Sequence, residues 1–198
     1  MRVKTDSMER MSDVSYIEKV LNGETDCFAR LLERYSKQVF SLIVKIVGNR
    51  EDAEELTQDV FVKAYGSLSQ FRRESSLPTW LYRIAYNMAI SATRKKKMDS
   101  LPIDELLLSE TPDEPGETDF GDSDAEMRIF YLNRALELLS PDERALIMFF
   151  YKENQSMEEI ALITGLTVTN VKTKICRIRK KLYVYIRKME EEQDGKEK

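Results

Sequence analysis

Apolar residues recur at helical spacing along most of this chain. From Asp13 the stretch SYIEKVLNG predicts a short helix stopped by Gly23. Thr25 or Asp26 can cap the next, in which Phe28, Leu31, Leu32, Tyr35, Val39, Leu42, Ile43 and Ile46 keep the period up to Gly48. A third helix opens at Asn49, a capping residue, with Glu51, Asp52, Glu54 and Glu55 in its first turns, where carboxylates suit the helix dipole. Its packed stripe is Ala53, Leu56, Val60 and Ala64, with Phe61 beside them. Residues 71–77 read as a polar loop, and Pro78 suits the first position of a fourth helix whose packed side is Leu81, Ile84, Ala85 and Met88. After a gap in the pattern, Leu132, Ala135, Leu136 and Leu139 mark another helix. Ser140, Pro141 and Glu143 form a capping box that opens the next, which contributes Leu146, Ile147, Phe149 and Phe150 to a core.

The last two helices differ from the rest. Ser156 and Glu159 make a second capping box, so a short helix begins at Met157 and ends at Gly165, a residue free to take positive φ. Thr167 caps the helix that follows, whose buried face is Val171, Ile175, Ile178 and Leu182. Opposite that face lie Thr169, Lys172, Thr173, Cys176, Arg177 and Lys180, with Asn170, Lys174, Arg179 and Lys181 on the flanks. No Asp or Glu occurs between Glu159 and Glu190. A capped scaffold helix, a glycine turn and a basic second helix form the helix-turn-helix pattern, whose second helix enters the major groove. Lys and Arg meet phosphates or guanine edges there, and Thr and Asn can bond base edges. A surface hairpin with a solvated basic face is the plainer alternative.

Composition sharpens this picture at three points. With 198 residues, 42% hydrophobic, 33% charged, 7 Gly and 5 Pro, the expected class is all-α, in two small domains. The net charge of −4 conceals an asymmetry: residues 98–127 hold eleven acids and no Lys or Arg, leaving +7 elsewhere. That acidic stretch, with Pro102, Pro112, Pro115, Gly116 and Gly121, predicts a flexible, self-repelling linker. Two distant cysteines, Cys27 and Cys176, and no His leave no metal-ligand spacing and no His-based catalysis. No cofactor is expected. No apolar run nears the ~18 residues of a membrane span, so the chain is expected to stay in the cytoplasm.

Two further faces carry chemistry. The outward side of the third helix, Asp52, Glu55, Gln58, Asp59 and Lys63, is acidic to mixed, and its spacing alone fits a solvated surface. Around the fourth helix stand Phe71, Arg72, Arg73, Ser75, Trp80, Tyr82, Arg83, Tyr86 and Asn87, running out to Arg94. Aromatics interleaved with Arg offer flat faces for unpaired bases and cations for phosphates. Equally, Trp80 and Tyr82 could be half-buried packing residues.

Four stretches together carry a resemblance: EDAEELTQDVFVKAY, FRRESSLPTWLYRIAYNMA, LSPDERALIMFFY and EEIALITGLTVTNVKTKICRIRKKL. In that order and spacing the chain resembles the extracytoplasmic-function (ECF) group of bacterial sigma factors, dissociable subunits that direct RNA polymerase to promoters. The resemblance implies a first domain over residues 13–97, a linker over 98–127 and a second, four-helix domain over 128–188. It implies that Asp52, Glu55, Gln58, Asp59 and Lys63 face the clamp coiled coil of the polymerase largest subunit, with the polymerase flap as a further contact. Phe71, Arg72, Arg73, Ser75, Trp80, Tyr82, Arg83, Asn87 and Arg94 would serve the minus-ten element, the loop capturing a flipped base. Thr167, Thr169, Asn170, Lys172, Thr173, Cys176, Arg177 and Lys180 would serve the minus-thirty-five element. An anti-sigma factor is an expected partner, and no catalytic residue is expected. A helix-turn-helix regulator acting without polymerase is the competing function; it would need neither the acidic helix nor the aromatic loop.

Overall fold

The computed structural model describes residues 12–99 and 125–194, so the expected linker falls largely outside the described residues. Among the described residues there are eight α-helices and no strand. The first four are α1 (Asp13–Leu21), α2 (Cys27–Val47), α3 (Arg50–Ser67) and α4 (Leu77–Asp99), with a short 3₁₀ turn at Leu68–Gln70. The second four are α5 (Ala125–Glu137), α6 (Pro141–Ile147), α7 (Met157–Thr164) and α8 (Val168–Asp194). A π-helical segment, Met148–Lys152, extends α6.

The local signals act as their chemistry dictates. Asn49 accepts the Asp52 amide at 2.9 Å and opens α3, while Gly48 at φ 76 closes α2 in the left-handed region that glycine enters freely. Both capping boxes form, Ser140 with Glu143 and Ser156 with Glu159. The expected side-chain cap at Thr25 or Asp26 does not: Asp26 is already helical, and tight turns from Cys27 to Glu24 and from Phe28 to Thr25 satisfy the first amides. The fourth helix starts one residue early. Ser76 accepts the Thr79 amide at 3.2 Å, which makes Pro78 the second helical residue, still among the first-turn positions that lack an intrahelical acceptor.

In the first half, α2 is the central helix, touching α1, α3 and α4 through Leu31, Val39, Leu42, Ile43 and Ile46, all nearly inaccessible. In the second, Ile160, Ile163, Val171, Ile175 and Ile178 knit α7 to α8. Leu132 is a departure from the expected core, since it is exposed and Tyr131 takes the buried position. Leu32 is likewise exposed on α2. The two halves pack on each other: α4 meets α7 and α6, α2 meets α6, and the buried apolar residues form one continuous cluster.

Candidate polymerase and nucleic-acid interfaces

Three separate surfaces hold the residues singled out by sequence. On α3, Asp52, Glu55 and Asp59 line a shallow cleft with Leu56, Thr93 and Lys96. Lys96 reaches across from α4 to within 3.1 Å of Asp52. Lys63 is exposed farther along the helix. Gln58 points elsewhere, into an apolar groove between α2 and α3 bordered by Phe28, Leu32, Phe61, Val62 and Tyr65. Val62 is 71% exposed, a large apolar side chain left open beside Gln58. Sequence reasoning missed this groove. Its signal was present, because Val62 and Tyr65 follow Gln58 by four and seven positions and so share its side of the helix.

The second surface is built on the loop before α4. Phe71 and Trp80 lie with ring centroids 5.2 Å apart, in a cleft also lined by Arg72, Ser75, Arg83 and Leu162. Arg73 sits at φ 60 and its guanidinium pairs with Glu18 of α1 at 2.9 Å, which pins the loop to the first helix. Arg83 and Asn87, one turn apart, are exposed on the same side of α4 as Trp80 and Arg94. Tyr82 departs from the expectation. It is 3% exposed, lies on the neighbouring side of the helix with Tyr86, and donates its hydroxyl to Glu153 of the second half at 2.6 Å. Tyr86 donates to Asp142 at 2.7 Å. Burial, reinforced by the carboxylate each faces, pushes both phenols well above their usual pKa, so both remain donors.

The third surface is α8. Gly165 at φ 74 closes α7, and the Thr167 hydroxyl accepts the Asn170 amide at 3.2 Å to open α8. Val171, Ile175, Ile178 and Leu182 are buried. Thr169, Asn170, Lys172, Thr173, Cys176 and Arg177 are exposed on the other side, with Lys180 half-buried beside them. The Thr173 hydroxyl donates back to the Thr169 carbonyl at 3.0 Å, leaving its oxygen able to accept. Lys181 turns away from this face: its ammonium sits 3.1 Å from Glu143 of α6. Burial works against the charge of Glu143, yet the Ser140 amide and the Lys181 ammonium outweigh it and hold the carboxyl below its usual pKa.

Comparison with known proteins converges on one family. Residues 31–98 match Sigma-70 region 2 and residues 129–182 match Sigma-70 region 4. The chain is 31% identical over 182 residues to the ECF RNA polymerase sigma factor SigW of Bacillus subtilis, covering 86% of this chain and 95% of that protein. The chain belongs to the ECF group of the sigma-70 family. Two solved structures share its fold. CnrH, in complex with the cytosolic domain of CnrY, superposes with a TM-score of 0.62 at 22% identity, over 87% of this chain and 95% of CnrH. RpoE of Bartonella quintana, in complex with the anti-sigma factor NepR, gives 0.57 at 25% identity, over 81% and 96%. As a sigma factor, the chain is a core-polymerase-binding subunit that directs promoter-specific initiation; a regulator acting without polymerase is not favoured. No helix among the described residues is long and apolar enough to cross a membrane.

Proposed function

We propose that the three surfaces divide the work of initiation among themselves. The acidic side of α3, Asp52, Glu55 and Asp59 with Gln58 and Lys63, docks on the polymerase clamp coiled coil. The cleft of Phe71, Trp80, Arg72, Ser75 and Arg83, continued by Asn87 and Arg94, takes the unpaired minus-ten strand. Thr169, Asn170, Lys172, Thr173, Cys176 and Arg177 on α8 read the minus-thirty-five duplex. Supporting this division, a region 2 match and a region 4 match stand in one chain, the first spanning both the acidic side of α3 and the aromatic cleft before α4, the second spanning the basic side of α8. The subunit would act in the cytoplasm and assist strand opening by binding, without hydrolysing nucleotide. An anti-sigma factor is a fitting further partner, since the sigma factor RpoE of Bartonella quintana, of the same fold, is solved in complex with the anti-sigma factor NepR.

Reconstitution tests the reading. Added to core polymerase on genomic fragments, the protein should produce new transcript starts that share a two-part upstream sequence. Duplex binding without core binding or directed starts would hand the function to the regulator reading.

A further inference from the structure

The loop that shapes the minus-ten cleft contains a strained residue, and a helix outside the cleft holds it. Arg73 sits at φ 60, in the left-handed region that costs a residue with a side chain roughly tenfold in population. Its neighbours Phe71, Arg72 and Ser75 line the cleft with Trp80 and Arg83. At one end the loop is tied by the Phe71 amide, which donates to the Leu68 carbonyl at 3.1 Å, and at the other by the Thr79 amide on Ser76. Between those ties Arg72 pairs with Glu74 at 4.0 Å and the Ser75 hydroxyl donates to the next carbonyl at 3.3 Å, so neither bond reaches outside the loop. Arg73 does reach outside, to Glu18 of α1 at 2.9 Å.

That contact has a firm base. Ser12 caps α1, and Tyr16, Ile17 and Val20 bury one side of it. Asp13 accepts both the Arg34 guanidinium and the Tyr35 hydroxyl of α2, and the same guanidinium lies 5.6 Å from the Tyr16 ring. α1 also touches the 3₁₀ turn at Leu68–Gln70 that leads into the loop. The match to region 2 begins at residue 31, inside α2, so α1 lies ahead of it.

Both side chains of the pair are about half open to solvent, and such pairs contribute little to folding. The consequence is for the loop's conformation. An extended backbone at Arg73 would send Arg72 and Ser75 away from the cleft wall in different directions. A strand that needs one conformer binds more weakly in proportion to the fraction of chains that hold it. We propose that Glu18 is a positioning residue for minus-ten recognition: it holds the Arg73 guanidinium, keeps that residue left-handed, and so keeps Arg72 and Ser75 on the wall that takes the unpaired strand. Arg73 then works through the loop and not by touching DNA. This deepens the assignment of the cleft above and rests on it.

The test uses holoenzyme reconstituted from the full chain and core polymerase, on a fluorescein-labelled fork template that leaves the minus-ten strand of a mapped start site unpaired. Glu18→Gln should weaken binding about two- to fivefold, the range an exposed ion pair can supply, with Tm, helix content and core binding at the parent's values. Arg73→Ala should lose at least as much, because it gives up the pair and keeps the cost of positive φ. Arg73→Gly should bind near the parent and be indifferent to Glu18→Gln, since glycine enters that region freely. Both Arg73 variants lack the guanidinium, so a phosphate contact would not separate them. Equal losses in the two would overturn the proposal, as would unchanged or tighter binding by Glu18→Gln; tighter binding would make Arg73 a strand ligand that Glu18 restrains. Trp80→Ala tests the cleft by itself. Fork affinity that survives it refutes the cleft and the positioning role together, whereas failure of the Glu18 series alone refutes the positioning role and leaves the cleft standing.

Discussion

Two lysines on α8 carry the same charge and should have opposite consequences. Lys172 is exposed on the outward side. Lys181 is held 3.1 Å from Glu143, both side chains about three-quarters covered, with its ammonium 5.8 Å from the Tyr185 ring. If Lys172, Lys174, Arg177, Arg179 and Lys180 each neutralise one phosphate, counterion release predicts a slope of about −4.5 for log affinity against log salt. Between about 50 and 200 mM salt this amounts to a loss of roughly 500-fold. Lys172→Ala should make the slope shallower by about 0.9. Lys181→Ala should leave the slope alone and instead lower stability by about 1 kcal/mol, since Glu143 loses a partner in a half-buried place. The assay is anisotropy of a duplex bearing the minus-thirty-five element, titrated with reconstituted holoenzyme at several salt concentrations. The core enzyme's own phosphate contacts cancel in the difference between variant and parent. Equal flattening by both variants would mean that Lys181 leaves Glu143 for DNA, and flattening by neither would refute the placement of α8 on the duplex.

Other consequences follow from single positions. Gly165→Ala should cost about 1–2 kcal/mol by thermal denaturation, because φ is +74 while nothing lies within 4 Å of an added Cβ; a loss well beyond that would imply a steric clash absent from this geometry. Glu143 has a depressed pKa, so its contribution is full above the ordinary 4.5 and fades as pH falls through the depressed value. The gap in Tm between the parent chain and Glu143→Gln should therefore narrow below that ordinary value, and a gap that widens in acid would reverse the sign of the argument. Replacing Asp52 and Asp59 by Ala should weaken core polymerase binding and spare duplex binding by the second half, as measured by pull-down and anisotropy; the reverse pattern would sink the division of surfaces. Val62→Asp removes an exposed apolar group, so stability should move by no more than about 0.5 kcal/mol. Its loss of core affinity would place the groove beside Gln58 in the docking face, and unchanged affinity would remove it.

Caps and periods were legible because they are local. The two capping boxes, Asn49, Gly48, Gly165 and Thr167 each act within four residues, and sequence spacing contains everything that decides them. Where a local signal had a local competitor it failed: the turn at Glu24 supplied acceptors before Asp26 could cap α2. Leu132 and Leu32 show a different limit. Apolar spacing marks a side of a helix, but which edge of that side is covered depends on the neighbour's position, and Tyr131 lies as close to the α5 stripe as Leu132 does.

Tyr82 exposes the deepest limit. On sequence it stands between Trp80 and Arg83, and composition alone groups the three as one nucleic-acid surface. At 100° per residue they cannot all face one way. Trp80 and Arg83 fall within one arc with Asn87, and Tyr82 falls in the next with Thr79 and Tyr86. Helical arithmetic could have separated them, but it could not have supplied the partner. That partner is Glu153, 71 positions away, across a stretch whose composition predicts no fixed path. Hydroxyls suited to phosphate and carboxylates suited to a helix face are the same chemistry viewed from either side. A surface that reads as a strand-binding site is therefore also one that an acidic neighbour in the same chain can occupy.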